Sequence, residues 1–223
     1  MNRRDAIARV GLLLGGTVVG ADVFLSGCKK RTDLAAVGLD FSTETIGFLD
    51  EVGETILPAS PGSPGAKETQ IGEFMKRIVT DCYPEEYQQI FAAGIGKLKE
   101  LSQKKYNEDF MNLTANQKHD LLVDVDKENK NHSSRKKYKR DFMDLTTSQK
   151  QDVLTEADWE MKSTLPAKKD DYPHYFALMK QLTLWGYFTS EPGSTKALRY
   201  LPIPGKYEGC IPYKKGDKAW SAT

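Results

Sequence analysis

Three histidines, three cysteines and many acidic residues are the side chains with which this 223-residue chain could carry out metal, thiol or acid–base chemistry. Their spacing argues against most of it. His119, His132 and His174 lie far apart, with no metal-ligand spacing among them. The chain has no C-x-x-C-H haem attachment, no H-E-x-x-H, no G-x-S-x-G and no G-x-G-x-x-G loop behind a strand. No catalytic residue, metal or cofactor is therefore expected in this chain itself. His119 reads as charged helix surface, and His174, near Tyr172, as structural. The acidic residues fall mostly on polar helix faces, where solvated charge is ordinary. A self-sufficient enzyme using them is one reading, which turnover by the purified mature chain alone would reveal.

The first cysteine belongs to a different kind of signal. Arg3 and Arg4 open the chain, Val10 to Ala21 is uncharged, and Leu25-Ser26-Gly27-Cys28 follows. A cationic start, a short apolar run and a small-residue exit make a bacterial export signal. About twelve apolar residues are too few to span a bilayer, which takes roughly 20. The adjacent arginines resemble the twin-arginine signal of proteins exported already folded. The last four residues resemble a lipobox, whose cysteine is lipidated. Residues 1–28 thus read as an export signal and 29–40 as a linker. The expected product is a periplasmic lipoprotein held at the membrane through Cys28. In that oxidising compartment Cys82 and Cys210 either pair as a disulfide or stay as two buried free thiols; pairing is the favoured expectation.

The whole chain carries 32 basic and 31 acidic residues, and 29 of each remain after residue 27. Near-neutrality argues against a nucleic-acid partner, and a mean hydropathy of −0.54 against a multi-span membrane protein. From residue 41 onward the pattern is helical. Ser42 can cap a helix in which Ile46, Leu49, Val52 and Ile56 step by three or four. Pro58 ends it, and residues 59–65 have turn chemistry. Ile71, Phe74, Ile78 and Cys82 keep helical spacing, as do Tyr87 to Leu101. His174 to Gly186 reads as an apolar helix ending at its glycine. The expectation for 41–223 is a mainly α, single helical domain of roughly six to eight helices.

Residues 104–128 recur as 136–160, with 14 of 25 aligned positions identical. Each copy contains Thr-x-x-Gln, a capping box at a helix start. Between the copies, 128–139 is charged and reads as a connector or a solvated helix end. Two copies are too few for a solenoid, so local duplication inside one domain is expected. Beyond Gly186, aromatics alternate with glycine and proline. That pattern suits an ordered, irregular surface, either packed on its own core or offered to a partner. Trp185, Tyr187, Phe188, Tyr200, Tyr207 and Tyr213 are the candidate interface residues.

Several segments together resemble the gluconate 2-dehydrogenase subunit 3 family. They are the leader, Ile46 to Pro58, Pro64-Gly-Ala66-Lys, Ile71-Gly-Glu-Phe74 with Asp81-Cys82, and Phe110-x-x-Leu113-Thr-x-x-Gln117 with Leu122. Tyr175-Phe176 through Phe188 and Pro204-Gly-x-Tyr207-x-Gly-Cys210 complete the set. The second copy of the Phe-x-x-Leu-Thr-x-x-Gln element is a departure, and it leaves open which copy keeps the family role. The resemblance implies a non-catalytic subunit of a membrane-associated dehydrogenase. In such complexes a separate FAD-bearing subunit oxidises a sugar or sugar acid, and a haem c cytochrome subunit commonly takes the electrons. The small subunit's signal can carry its leaderless partner through the export pore. The alternative is a stand-alone structural or chaperone-like periplasmic lipoprotein.

Overall fold

The computed structural model describes residues 39–159, 172–203, 205, 210, 212 and 214–221. Arg3, Arg4, Cys28, Tyr207 and Tyr213 lie outside these residues. Helix α1, Thr43–Ile56, starts where Ser42 Oγ accepts the Thr45 N–H at 3.3 Å. It buries Phe48, Leu49 and Val52 on one face. After a turn at Gly62 (φ 79°) and a 3-10 segment, Ala66–Thr69, helix α2 covers Ile71–Asp81. The two helices cross closely. A Cβ on Gly72 would lie 2.5 Å from the Ile46 carbonyl oxygen, and the Gly72 N–H donates to Asp50 Oδ1 at 2.8 Å. Gly72→Ala must therefore push backbone apart. It is expected to cost about 1–3 kcal/mol, read as a lower urea midpoint.

Helix α3, Glu85–Tyr106, follows Pro84. Its Gln88 is buried, and Nε2 donates to the carbonyls of Val79 (3.0 Å) and Tyr83 (3.1 Å). A side chain of α3 thereby satisfies carbonyls that the end of α2 leaves without helical partners. Helix α4, Ala115–Tyr138, opens with the expected capping box: Thr114 N–H donates to Gln117 Oε1, and Gln117 N–H to Thr114 Oγ1. It runs straight through the charged stretch 128–138, so that stretch is helix and not connector. Helix α5 is Thr147–Trp159 and α6 is Tyr175–Thr189.

Nearly every side of α6 is apolar, the signature of a helix enclosed by others. It touches α1, α2, α3 and α4, with Phe176, Met179 and Leu182 in the core. Gly186 does not end it. A Cβ there would lie 2.5 Å from Ile71 Cδ1 and 2.6 Å from Phe74 Cδ1, so this glycine lets α2 and α6 approach. The helix stops three residues later, at Thr189. Six α-helices stand among the described residues. Extended pairing there is limited to two isolated bridges, Ser60 with Ser63 and Arg199 with Trp220. The mainly α fold is as expected.

The duplication is structural as well as sequential. Each copy has a residue with positive φ (Asn107, 55°; Lys139, 57°), then a 3-10 turn (Phe110–Asn112; Phe142–Asp144), then a capped helix. In the second cap Thr146 N–H donates to Gln149 Oε1 at 3.1 Å. The match extends upstream of the repeat found in the sequence. Ser102 Oγ donates to the Glu108 carbonyl, and 32 residues on Ser134 Oγ donates to the Arg140 carbonyl. Helix α4 is thus the second arm of one helix–turn–helix unit (α3–α4) and the first arm of the next (α4–α5), although only the second pair of arms packs closely together. The first hairpin is core: Phe110, Leu113, Leu121, Leu122 and Val125 all join the main cluster. The second lies at the edge, with Phe142 half-buried and Leu154 exposed.

Candidate functional site

Helical spacing sorts the candidate interface residues. Trp185 and Phe188, three apart on α6, both face outward. Trp185 also meets the Phe74 ring edge-on at 5.4 Å between centroids, which fixes its orientation. Tyr187 points the other way and is buried. Its hydroxyl donates to the Pro64 carbonyl at 2.7 Å and shares a hydrogen bond with Ser63 Oγ at 2.8 Å. It therefore ties α6 to the loop before α2 and does not belong to an exposed interface. Tyr187→Phe is expected to lower stability by about 1 kcal/mol while leaving partner binding intact, checked by urea unfolding and co-purification. Tyr200 is exposed, beside exposed Leu201 and Ile203.

The outward side of α6 borders a cavity of about 410 Å³ between α4, α5 and α6. Leu184, Trp185 and Phe188 form one wall, and Val153 and Leu154 of α5 another. Its polar end holds Asp126, which pairs with Lys130 (2.7 Å) and Lys180 (3.1 Å). Burial works against that carboxylate, but hydrogen bonds from the two lysines outweigh it and hold its pKa below the ordinary value. Asn129, also buried here, leaves its Oδ1 without a hydrogen-bond partner. The arrangement is an apolar trough whose polar end holds one carboxylate between two lysines, suited to receiving apolar side chains along its walls.

The remaining candidates have structural work. His174 Nδ1 accepts the Phe176 N–H at 3.3 Å and caps α6. Its ring lies 4.3 Å from that of Tyr175 and 5.8 Å from that of His132. Among the described residues no three His, Cys, Asp or Glu side chains converge as metal ligands. Asp124 of the first repeat copy pairs with Lys105 and Lys127 on the surface. Cys82 and Cys210 are both free and exposed, neither paired nor buried. Cys82 follows the C-terminal end of α2, whereas the described C-terminal segment is held near the loop preceding that helix, with Lys218 Nζ donating to the Gly62 carbonyl. One residue escaped the sequence reading altogether. Glu51 on α1 receives both Lys67 and Lys118 at 2.9 Å, joining α1 to α4.

No curated protein and no solved structure matches the chain. A family model does, described as gluconate 2-dehydrogenase subunit 3, over residues 43–134 and 128–205. The two matched stretches overlap within α4, at residues 128–134. Covering most of the helical body, this match shows that the chain belongs to the gluconate 2-dehydrogenase subunit 3 family.

Proposed function

We propose that this chain is a non-catalytic small subunit that binds an FAD-bearing sugar or sugar-acid dehydrogenase, escorts it through the export pore and holds it at the membrane. Family membership supports the association with a dehydrogenase. The observation that carries the binding role is the exposed aromatic pair Trp185 and Phe188 bordering an apolar cavity, since rigid aromatics beside a pocket are the usual anchors of a protein interface. No described helix is long and apolar enough to cross a membrane. In this reading acylation of Cys28 supplies the attachment and Arg3 and Arg4 the export address, supported by the lipobox-like and twin-arginine-like residues of the leader. In this scheme FAD resides in the partner, and a cytochrome c subunit accepts the electrons.

The test is a pull-down of the native lipoprotein followed by an absorption spectrum. A flavin spectrum in the eluate is the expected result, and a colourless single chain would overturn the escort role in favour of a stand-alone lipoprotein. Cys28→Ala is expected to move the chain from the membrane to the soluble periplasmic fraction when expressed without partners.

A further inference from the structure

The two turns, Phe110–Asn112 and Phe142–Asp144, are built alike, yet among the described residues only the first is covered by a helix from outside the repeat. Helix α1 lies against α4 and the Phe110 turn. There Phe48 meets the Phe110 ring edge-on at 5.2 Å, and Glu51, three residues on, takes Lys118 at 2.9 Å. Lys118 Nζ also lies 5.7 Å from the Phe110 ring centroid. One period later the receiving parts recur: Lys150 Nζ lies 5.9 Å from the Phe142 ring. In place of a carboxylate, Lys150 Nζ donates to the Met143 carbonyl. Leu122 is 5% exposed where Leu154 is 39%, and Met111 is 41% where Met143 is 77%. The cavity beside α6 sits on this second hairpin. Four of its lining residues, Lys130, Ser133, Val153 and Leu154, stand 32 positions after Leu98, Leu101, Leu121 and Leu122 of the packed core.

We infer that the Phe142 turn and α5 form a docking site for an amphipathic helix of the dehydrogenase partner, seated as α1 is seated on the Phe110 turn and α4. The occupant carries an aromatic and aliphatic stripe toward Phe142, Val153 and Leu154, and a carboxylate about one turn beyond its aromatic that pairs with Lys150. Exposed Trp185 and Phe188 close the other side of the trough. The identity of the partner rests on the proposed function. The chemistry of the occupant rests on the repeat alone, because the chain holds one filled example of the same receptor face.

The probe follows from that example: a labelled peptide of residues 42–57, which is α1 with its cap and its Glu51. Fluorescence anisotropy with the purified full chain is expected to show saturable, salt-sensitive binding. Leu154→Asp and Lys150→Glu, both at solvent-reached positions, are each expected to weaken it at least tenfold while leaving the thermal midpoint unchanged. The peptide carrying Glu51→Lys is expected to recover binding to the Lys150→Glu chain and to lose it to the unaltered one. No saturable binding, or binding indifferent to both substitutions, overturns the inference. In the co-purified complex Leu154→Asp should release the flavoprotein. A flavoprotein retained through that change overturns the site but not the proposed function. Peptide binding with no flavoprotein in any pull-down leaves the receptor face standing and removes the assigned partner. Self-association abolished by Leu154→Asp in sedimentation velocity would make the occupant a second copy of this chain and overturn the partner assignment.

Discussion

Phe110→Ala is expected to cost about 3–5 kcal/mol of folding stability, whereas Phe142→Ala, the same change one period later, should cost roughly 1 kcal/mol or less. The difference comes from what surrounds two identical residues in two identical turns. Phe110 is fully buried, edge-on to Phe48, with the Lys118 ammonium beside its ring. Truncation there leaves a cavity walled by α1 and α4, neither of which can collapse without disturbing the other. Phe142 is half-buried at the edge of the molecule, so water can occupy the space its ring vacates. Urea unfolding of both variants measures the contrast directly. Equal losses would mean that the second hairpin is as integral to the core as the first. The same comparison tests which copy carries the core: the first is expected to hold it, with the second nearer the surface.

The second large effect depends on pH. His174 is pushed down to about 4, first by burial and then by His132, with Asp126 acting more weakly in the opposite direction. Its folded value lies below its unfolded value of about 6.5, so the fold favours the neutral ring. The contribution is complete above about pH 6.5 and is lost as pH falls toward 4. Because the ring is partly open to solvent, screening reduces the loss to about 1–2 kcal/mol. Protonation also removes the lone pair with which Nδ1 caps α6, coupling charge to the start of the central helix. Asparagine is a good N-cap and does not titrate. His174→Asn is therefore expected to flatten stability between pH 6.5 and 4 while preserving the neutral-pH value. Denaturant midpoints over that range check it, and parallel slopes for the two proteins would sink the idea. Asp50, raised by burial against the Gly72 N–H, titrates in both proteins alike and cancels in the difference.

Much of this fold was legible because local signals and tertiary packing agree. Ser42 and the three-and-four spacing of α1 predicted a capped amphipathic helix, and Thr-x-x-Gln predicted both caps of the repeat. The apolar run of α6 predicted a helix, but not where it ends. Gly186 reads locally as a stop, yet the approach of Ile71 and Phe74 requires a glycine inside the helix, and tertiary packing prevails over propensity. The candidate interface residues divide for a similar reason. A run of aromatics suits a buried core and an exposed surface equally, while the helical period decides that Trp185 and Phe188 face out and Tyr187 faces in. Glu51 was not legible, because its partners Lys67 and Lys118 lie 16 and 67 residues away and no local spacing announces them. The upstream reach of the repeat was hidden too. Lys97 to Tyr106 and Asn129 to Tyr138 share a backbone course and a buried serine, but only their last residues match in sequence.

Because α4 belongs to both hairpins, the duplicated unit has no seam. Removing residues 107–138 would join Tyr106 to Lys139, so Lys139 would inherit the left-handed position that Asn107 holds after α3. The shorter chain would then carry Phe142, Lys150, Val153 and Leu154 to the places of Phe110, Lys118, Leu121 and Leu122 beneath α1. Every one of those exchanges is an identity except valine for leucine. The protein thus contains a second version of part of its own core, in register, whose largest shortfall among the apolar core positions is Ala157 where the fully buried Val125 stands.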